Sequence, residues 1–421
     1  MQLEKPKLFP EQKSFVVVML FLLFVVLIRL FFSYQSYQEF ISKPFYYTEA
    51  EVVNSYEKVK GERRYQVLKL RSKEGLSFYT TSYAKDDLAG KRLRLQLFPS
   101  KKITFMGYLG TFYVKSRIKQ KESLAPSLKE TLLEKVALQH QEVSLQSFYN
   151  AIFFATPLDN RLREKISMLG ISHLVALSGF HLGILWGLVY GVLLLLYRPL
   201  QQRYFPYRHA LFDVGLVAMV SLGFYVWFVD FPPSLVRAYA MVLVGWAVLL
   251  LGMELLSFTF LTTIMMTLIA LFPSLMVSLG FWLSVAGVFY IFLLLQYTKR
   301  ANVWLISLVI IPLGIFLLML PVVHSVFPVT SGYQLLSPLL SLLFVPFYPL
   351  VMLLHLFGFG DLFDTVLLHL FNMTQESKEA RLPLWALVMY VGVSIGAIWR
   401  KELFWLMSGF ALFYAMYIFS L

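Results

Sequence analysis

The sequence of 421 residues contains no cysteine, which excludes disulfide bonds, thiolate metal sites and a cysteine nucleophile. Charged residues are also scarce, at 14% of the chain, whereas 58% of the residues are hydrophobic and the mean hydropathy is +0.67. A soluble globular domain does not need so much apolar surface, and several runs reach the roughly 20 residues that span a bilayer. The composition therefore predicts a polytopic α-helical membrane protein.

Motifs for two common kinds of site are missing as well. None of the seven histidines belongs to an H-E-x-x-H or H-x-H-x-D-H cluster, so we predict no metal site and no cofactor. No Walker sequence is present, so we expect no ATP site in this chain. Any energy that its function needs would then come from a partner ATPase or from an ion gradient.

Long apolar runs predict about ten membrane spans. Basic residues near Arg203 and Lys299 lie in two short loops that four predicted spans separate, and the positive-inside rule puts both loops in the cytoplasm. This orientation places residues 45–115 outside the cytoplasmic membrane. The stretch 361–372 is too short to cross and is expected to be a surface helix. The predicted spans are 15–32, 171–197, 209–229, 234–252, 257–272, 273–296, 302–321, 335–358, 382–399 and 403–420.

Residues 43–122 differ from the rest of the chain in both charge and pattern. They carry 18 Lys and Arg against 8 Asp and Glu, a net charge of +10. Their polarity alternates between turn-like pieces, which predicts a small antiparallel sheet of about five strands, the size of a small barrel. A basic module of this kind suggests an anionic partner, either nucleic acid or lipid headgroups, with ordinary surface solvation as the alternative.

Binding of single-stranded nucleic acid needs cations beside exposed aromatic rings. About half of the candidate rings are expected to fill the core of the sheet instead. The candidate aromatic residues are Phe78, Tyr79, Phe98, Phe105 and Tyr108. The candidate DNA-binding cations are Lys69, Arg71, Arg92, Arg94, Lys101 and Lys102.

The chain thus divides into four predicted regions. Residues 1–40 hold an N-terminal tail and the first membrane helix, and 41–122 hold the basic sheet. Residues 123–170 are predicted to form amphipathic helices at the membrane interface, with one helix over 127–150 and a shorter one that Gly170 ends. Residues 171–421 form the main membrane region.

Residues 170–187 open the second predicted span, yet they contain two imidazoles, two hydroxyls and four glycines. Polar groups in a membrane helix normally face protein or water. His173 and His181 are roughly 12 Å apart along a helix and about 80° around it, so they do not share a metal ion unless the helix breaks, for which Gly179 offers a place.

Ser178 and His181 lie close enough in sequence to hydrogen-bond, which leaves an intramembrane hydrolase as one hypothesis. The simpler alternative is that the hydroxyl bonds back to its own helix. Gly179, Gly183 and Gly187 recur every four residues and would serve either helix packing or a thin pore wall.

Arg237 lies just inside another predicted span. It would either anchor the helix at the membrane interface or face a pore, where its planar guanidinium can bond two oxygens of a phosphate.

The stretch from Gly170 to Gly187 resembles the signature of the ComEC competence family, with His173, Leu174, Ala176, Ser178, Gly179 and His181 in register with G-x-x-H-L-x-A-x-S-G-x-H. Three later segments resemble family segments in the same order: 233–241, 270–284 and 336–346. Trp282 stands where glutamine is expected, and Ser341 where asparagine is expected.

This resemblance implies an inner-membrane channel that imports single-stranded DNA in natural transformation, with an extracytoplasmic OB-like module. Its implied DNA path includes His173, Ser178, His181 and Arg237. Many members of the family carry a metallo-β-lactamase-like domain, but this chain has no H-x-H-x-D-H motif and resembles a short form. We therefore expect a separate nuclease, and we expect the chain not to be an enzyme.

The partners expected from this resemblance are single-stranded DNA, membrane lipid, a periplasmic or surface DNA receptor, and a cytoplasmic ATPase or single-strand-binding protein. A homo-oligomer is also possible. The alternative functions are transport of a small anionic or lipid-linked substrate and, less favoured, intramembrane hydrolysis.

Overall fold

The first apolar run forms the longest helix, α1 (Gln12–Ser42), in the computed structural model of the protein. The structure describes residues 8–9, 11–60, 63–83, 88, 90–122, 128–250, 257–299, 301–374 and 376–420. Parts of the predicted regions therefore lie outside the described residues, at 1–7, 10, 61–62, 84–87, 89, 123–127, 251–256, 300, 375 and 421.

The chain divides into two compact units. The sheet unit comprises Phe9–Leu128 and Thr262–Leu279. The helical unit comprises Lys129–Leu261 and Gly280–Leu421.

The basic region forms a six-stranded sheet with the order β5-β3-β2-β1-β4-β6. All neighbours are antiparallel except β3 and β5, which are parallel. The two end strands of this order are consecutive in the chain and meet at Val114, whose N–H donates to the Tyr79 carbonyl at 2.9 Å, so the sheet closes on itself. The strands are β1 (Tyr46–Lys60), β2 (Arg63–Ser72), β3 (Ser77–Ser82), β4 (Arg92–Phe98), β5 (Thr111–Tyr113) and β6 (Lys115–Glu122).

Alternation along each strand fills the interior of the sheet unit. Buried Leu68, Phe78 and Leu95 are typical of the inward residues, and their neighbours along the strands face outward. The last turns of α1 complete this core with Tyr37 and Phe40. The helix therefore runs ten residues past the predicted span, which ended at residue 32.

The remaining elements are mostly helical. A two-stranded ribbon of β7 (Val329–Thr330) and β8 (Lys378–Glu379) lies among them. The helices are α2 (Phe105–Leu109), α3 (Leu128–Ala137), α4 (Val143–Phe154), α5 (Asn160–Met168), α6 (Ser172–Val175), α7 (Gly179–Tyr204), α8 (Ala210–Phe228), α9 (Pro233–Leu250), α10 (Phe258–Leu271), α11 (Leu279–Tyr297), α12 (Val303–Leu305), α13 (Ile311–Val326), α14 (Ser337–Leu356), α15 (Asp364–Asn372), α16 (Leu384–Gly396) and α17 (Lys401–Ser420).

Among the described residues, seven helices are long and apolar enough to cross a membrane, which supports a helical membrane protein. Three shorter apolar helices of 10–17 residues accompany them, so the number of about ten spans stays a prediction. The seven are 12–42, 179–204, 210–228, 279–297, 303–326, 332–356 and 401–420.

The prediction of one helix over 127–150 is wrong. The chain leaves helical geometry after Ala137 and begins α4 at Val143, with residue 127 outside the described residues. Between the two helices His140 turns inward and is buried, and its ring bonds to side chains of other elements. The amphipathic pattern does not show this turn because the apolar residues on both sides keep helical spacing.

Candidate functional site

The segment predicted as one span from residue 171 is broken. The short helix α6 ends at Val175, Ala176 is extended with φ −68° and ψ 118°, and α7 begins only at Gly179. Gly170 precedes the break with φ +67°, a conformation that favours glycine, and it separates α5 from α6. Polar residues at the start of this segment therefore surround non-helical backbone.

Ser178 explains why a new helix starts after the break. Its Oγ accepts a hydrogen bond from the Phe180 N–H at 3.3 Å, and the His181 Nδ1 accepts one from the Ser178 N–H at 3.4 Å. These reciprocal bonds form a capping box. The Ser178 hydroxyl therefore accepts a hydrogen bond from a backbone N–H in the first turn of α7. The simpler alternative from the sequence was that it donates to a carbonyl of the preceding turn.

The same contacts bear on the hydrolase alternative. The Ser178 Oγ and the His181 Nδ1 are 3.4 Å apart, so the expected proximity is present. However, this separation is longer than the 2.6–3.2 Å typical of a nucleophile and its base. The backbone N–H of Ser178 also uses the same ring nitrogen. The geometry supports a capping role.

The other nitrogen of His181 is buried and has no hydrogen-bond partner among the described residues. It lies in an aromatic pocket, where the His181 ring meets Tyr348 edge to face with centroids 4.9 Å apart and Phe344 at 5.1 Å. Since Nδ1 accepts from a backbone donor, a neutral ring carries its proton on Nε2. His181 thus presents an unsatisfied donor inside the helical unit.

Helix α14 supplies most partners of this segment from one face. The Ser337 Oγ donates to the Gly170 carbonyl at 3.0 Å, and the Ser341 Oγ lies 3.2 Å from the His173 Nε2. Ser341 donates to the Ser337 carbonyl, which leaves its oxygen to accept from His173. Alternate steps of four and three residues place these groups on one stripe of the helix. The stripe consists of Ser337, Ser341, Phe344, Tyr348, Val351 and His355.

Helix α9 holds the break from a second direction. The Ser234 Oγ donates to the Leu177 carbonyl at 2.7 Å, which satisfies a backbone group that the break leaves outside a helix. One turn later, Arg237 is half-buried, with its guanidinium beside Gly280 of α11. Three predicted segments of the sequence therefore converge on this part of the helical unit.

The three glycines of α7 differ in their surroundings. A Cβ on Gly179 would lie 3.3 Å from the Ala238 Cβ, so this glycine allows close approach of α9. A Cβ on Gly183 or Gly187 would meet no atom of the described residues within 4 Å. These two glycines lie on an exposed face of the helix.

In the sheet unit, several predicted cations lie beside acidic residues. The Arg92 guanidinium donates to the Glu51 carboxylate at 2.7 Å, and this bond raises the pKa of Arg92. In the strand register Arg71 of β2 also lies opposite Glu51, and Arg94 of β4 lies opposite Glu49. Lys69 is half-buried, whereas Lys101 and Lys102 are exposed beyond β4. Acidic neighbours on β1 therefore weaken the positive field at the three arginines.

A more basic surface lies on β6, which sequence analysis did not single out. Lys115, Arg117 and Lys119 point outward in alternate positions, and the pattern K-x-R-x-K was the available signal. Lys115 pairs with Phe98 across the strands, and Tyr113 precedes it on the same face. Phe98 is 38% exposed and Tyr113 51% exposed. We call these five residues the β6 face.

The other predicted aromatic residues are placed differently. Phe78 is fully buried in the core of the sheet unit, and Phe105 and Tyr108 pack against that core. Tyr79 is half-buried. Burial raises the pKa of Tyr108.

A family model described as "Competence protein" matches residues 155–420, which include α6, α7, α9 and α14. No curated protein and no solved structure matches the chain.

Proposed function

Since this chain belongs to the competence protein family, we propose that it carries single-stranded DNA across the cytoplasmic membrane during natural transformation. The observation that carries the proposal is the break between α6 and α7. Non-helical backbone at membrane depth is tolerated only where protein buries it or where it lines an aqueous path. Here Ser178 caps the helix that follows the break, His173 in the short helix before the break contacts Ser341, and the Arg237 guanidinium lies beside Gly280.

These groups suit weak and repeated contacts with a moving strand. His173 and Ser178 offer neutral donors and acceptors, and Arg237 offers a cation that can bond two phosphate oxygens. A pathway must bind well enough to admit its substrate and weakly enough to release it. The unsatisfied nitrogen of His181 adds a donor that a widened path would expose.

The sheet unit is the proposed collector of DNA. Its closed six-stranded sheet, in which β5 and β6 follow each other directly in the chain, fits an OB-like module. The β6 face offers aromatic rings next to cations, as single-strand stacking requires. We place this module on the outer side of the membrane, where it would meet incoming DNA. Lys101 and Lys102 would add positive charge beyond β4.

The proposed location is the inner membrane, and the proposed partners are those of a DNA-uptake system. They comprise a receptor that delivers DNA, a separate nuclease, a cytoplasmic ATPase or single-strand-binding protein, lipid, and a second copy of the chain. We propose a transporter without catalytic activity.

The transport step is tested in cells that make the full chain or a variant and receive labelled DNA. His173→Ala and His181→Ala should leave DNA outside the cytoplasm. His369→Ala changes an exposed histidine on α15 and serves as the matched control, with normal entry expected. Normal DNA entry in a deletion strain would refute the proposal, and normal entry in both test variants would reduce the segment to a packing role.

The collecting step is tested with the purified full chain and a labelled oligonucleotide. Lys115→Glu with Arg117→Glu should weaken binding and lower the salt dependence, by roughly 0.7 in log–log slope for each phosphate that the protein no longer neutralises. Lys101→Glu with Lys102→Glu should weaken it as well. Arg92→Glu is the control, because this arginine is already paired. Unchanged DNA affinity together with weaker binding to anionic vesicles would favour lipid as the ligand.

A further inference from the structure

A second polar cluster lies in the helical unit, where α3 gives way to α4. The His140 Nδ1 is 2.9 Å from both oxygens of Asp364, the first residue of α15. The His140 Nε2 is 2.9 Å from the Nε2 of His355 near the end of α14. The other nitrogen of His355 lies 2.6 Å from the Val351 carbonyl. Two imidazoles thus connect a carboxylate to a helix carbonyl.

The number of protons in this row follows from its ends. The Val351 carbonyl only accepts, so the His355 Nδ1 carries a proton and its Nε2 accepts from His140. Since the His140 Nε2 then donates, a proton must also lie between the His140 Nδ1 and Asp364. Three contacts therefore need three protons, one more than two neutral imidazoles and an ionised carboxylate contain. Without the extra proton, one contact becomes lone pair against lone pair.

The surroundings favour holding that proton. The His140 side chain is fully buried and the Asp364 side chain is 17% exposed, so a net negative charge would be poorly solvated. Burial raises the pKa of Asp364. The Tyr149 ring stacks on His140 with centroids 4.4 Å apart, which stabilises an imidazolium.

Other groups around the pair come from each neighbouring element. Tyr149 faces it from α4, His355 from α14, and Asp361 acts on Asp364 from the turn before α15. From the end of α3, the Gln139 amide donates to the His355 carbonyl at 3.1 Å and accepts from the Gly360 N–H at 2.9 Å. Among the described residues, His140 is the one side chain that forms an ion pair with Asp364.

The cluster is joined to the candidate site by α14 itself. His355 and Val351 end the same stripe whose other members contact Gly170, His173 and His181. Ser337 and His355 belong to one continuous helix, which has Pro346 and Pro349 between them, so the anchorage of one end bears on the position of the other. The elements that hold the His355 end are α3, α4 and α15.

We propose that the His140–Asp364 pair is a proton-binding site that latches α14 against the broken segment, and that release of the proton frees α14 to open the path. This proposal rests on the proposed function, because it makes proton occupancy the regulator of that path. The ligand is the proton. Within the described residues, no group of three His, Asp or Glu side chains has the arrangement of a metal site.

The test uses the absence of native cysteine. Leu138→Cys and Leu356→Cys place spin labels at positions that are 86% and 79% exposed, on the two sides of the latch. Inter-label distances are measured on the full chain in lipid nanodiscs at a series of pH values from about pH 5 to pH 8, the interval in which an imidazole side chain can act as a switch. We expect one short distance at low pH and a longer one as the pH rises.

Asp364→Asn is the decisive variant. Its amide can donate to the His140 Nδ1 and so replaces the protonated carboxyl, which should keep the short distance at every pH. His140→Phe retains the ring against Tyr149 but removes both nitrogens, and should give the long distance throughout. Asp361→Asn changes an exposed carboxylate three residues away. It should keep the pH response but move its midpoint to lower pH, because the charge of Asp361 contributes to the raised pKa of Asp364.

Two results would overturn the proposal: a distance in the otherwise unchanged chain that does not vary with pH, or an equal pH response in the Asp364→Asn variant. The label distances do not depend on DNA transport, so they remain informative if the transport hypothesis fails. In cells, Asp364→Asn should lower DNA entry at least tenfold, with the protein still present in the membrane. Normal DNA entry in this variant would contradict the regulatory role even if the distances respond to pH.

Discussion

Ser178 separates two explanations of the signature segment, because an N-cap and a nucleophile tolerate different substitutions. As a cap, its oxygen accepts from the Phe180 N–H at 3.3 Å. Ser178→Ala removes this acceptor and leaves the bond between the Ser178 N–H and His181 in place. Loss of a serine cap costs about 1 kcal/mol, within a range of roughly 0.5 to 2 kcal/mol. That value corresponds to about a fivefold change in the unfolding equilibrium.

Ser178→Asn is the matched variant. Asparagine is as good an N-cap as serine, but it has no hydroxyl for nucleophilic attack. We therefore expect the asparagine variant to lie within a few tenths of a kcal/mol of the unsubstituted chain in unfolding free energy. DNA entry should be retained in Ser178→Asn and reduced in Ser178→Ala.

The measurements are denaturant unfolding of the purified chain in micelles and uptake of labelled DNA in cells. If both variants keep normal stability but abolish DNA entry, the hydroxyl acts chemically and the capping argument fails. If Ser178→Ala shows no loss of stability, the capping box contributes nothing measurable.

Three further predictions follow from single positions. Gly170→Ala should lower the unfolding free energy by about 1–2 kcal/mol, as measured by denaturant unfolding. The reason is that Gly170 has φ +67° and that an added Cβ would come within 3.4 Å of Gln334 and Ser337. Gly183→Leu should leave stability unchanged in the same assay, since no described atom lies near its Cβ, and a loss of DNA entry would then show that the exposed face contacts DNA or another subunit. The pKa of Asp364 is raised above its ordinary 3.8, so its contribution to stability is full below that value and is lost as the pH rises through the raised value. Unfolding measured against pH should show this loss in the native chain and not in Asp364→Asn; equal slopes would contradict it.

The sequence was most informative where one physical signal dominates. Apolar length indicated the membrane helices, and period-two alternation indicated the sheet. Phe78 was a candidate for base stacking and lies instead in the core of the sheet unit. The sequence was misleading at helix interruptions. The breaks at His140 and at Ala176–Leu177 depend on bonds to distant residues such as Asp364 and Ser234, which local periodicity does not contain.

The candidate site shows the same division. Its histidines and Ser178 stood out because polar groups are unusual in an apolar segment, and the proximity of Ser178 to His181 was expected from their spacing. Their partners on α14 were not predicted, because serine and tyrosine in an apolar helix carry no strong signal by themselves. The DNA-binding cations of the sheet were predicted from positive charge alone. The register of β1 brings Glu51 beside both Arg71 and Arg92, and the sequence by itself does not show this register.

Closure of the sheet at Val114 has a consequence for solubility and assembly. An open sheet ends in strands with unpaired backbone groups, and these groups recruit extended chains from other molecules. In this unit, β5 and β6 occupy the two ends of the strand order and are continuous with each other, so closing the sheet uses both ends. The sheet unit is thereby protected from edge-to-edge polymerisation, and its contacts with other molecules are left to its outward side chains.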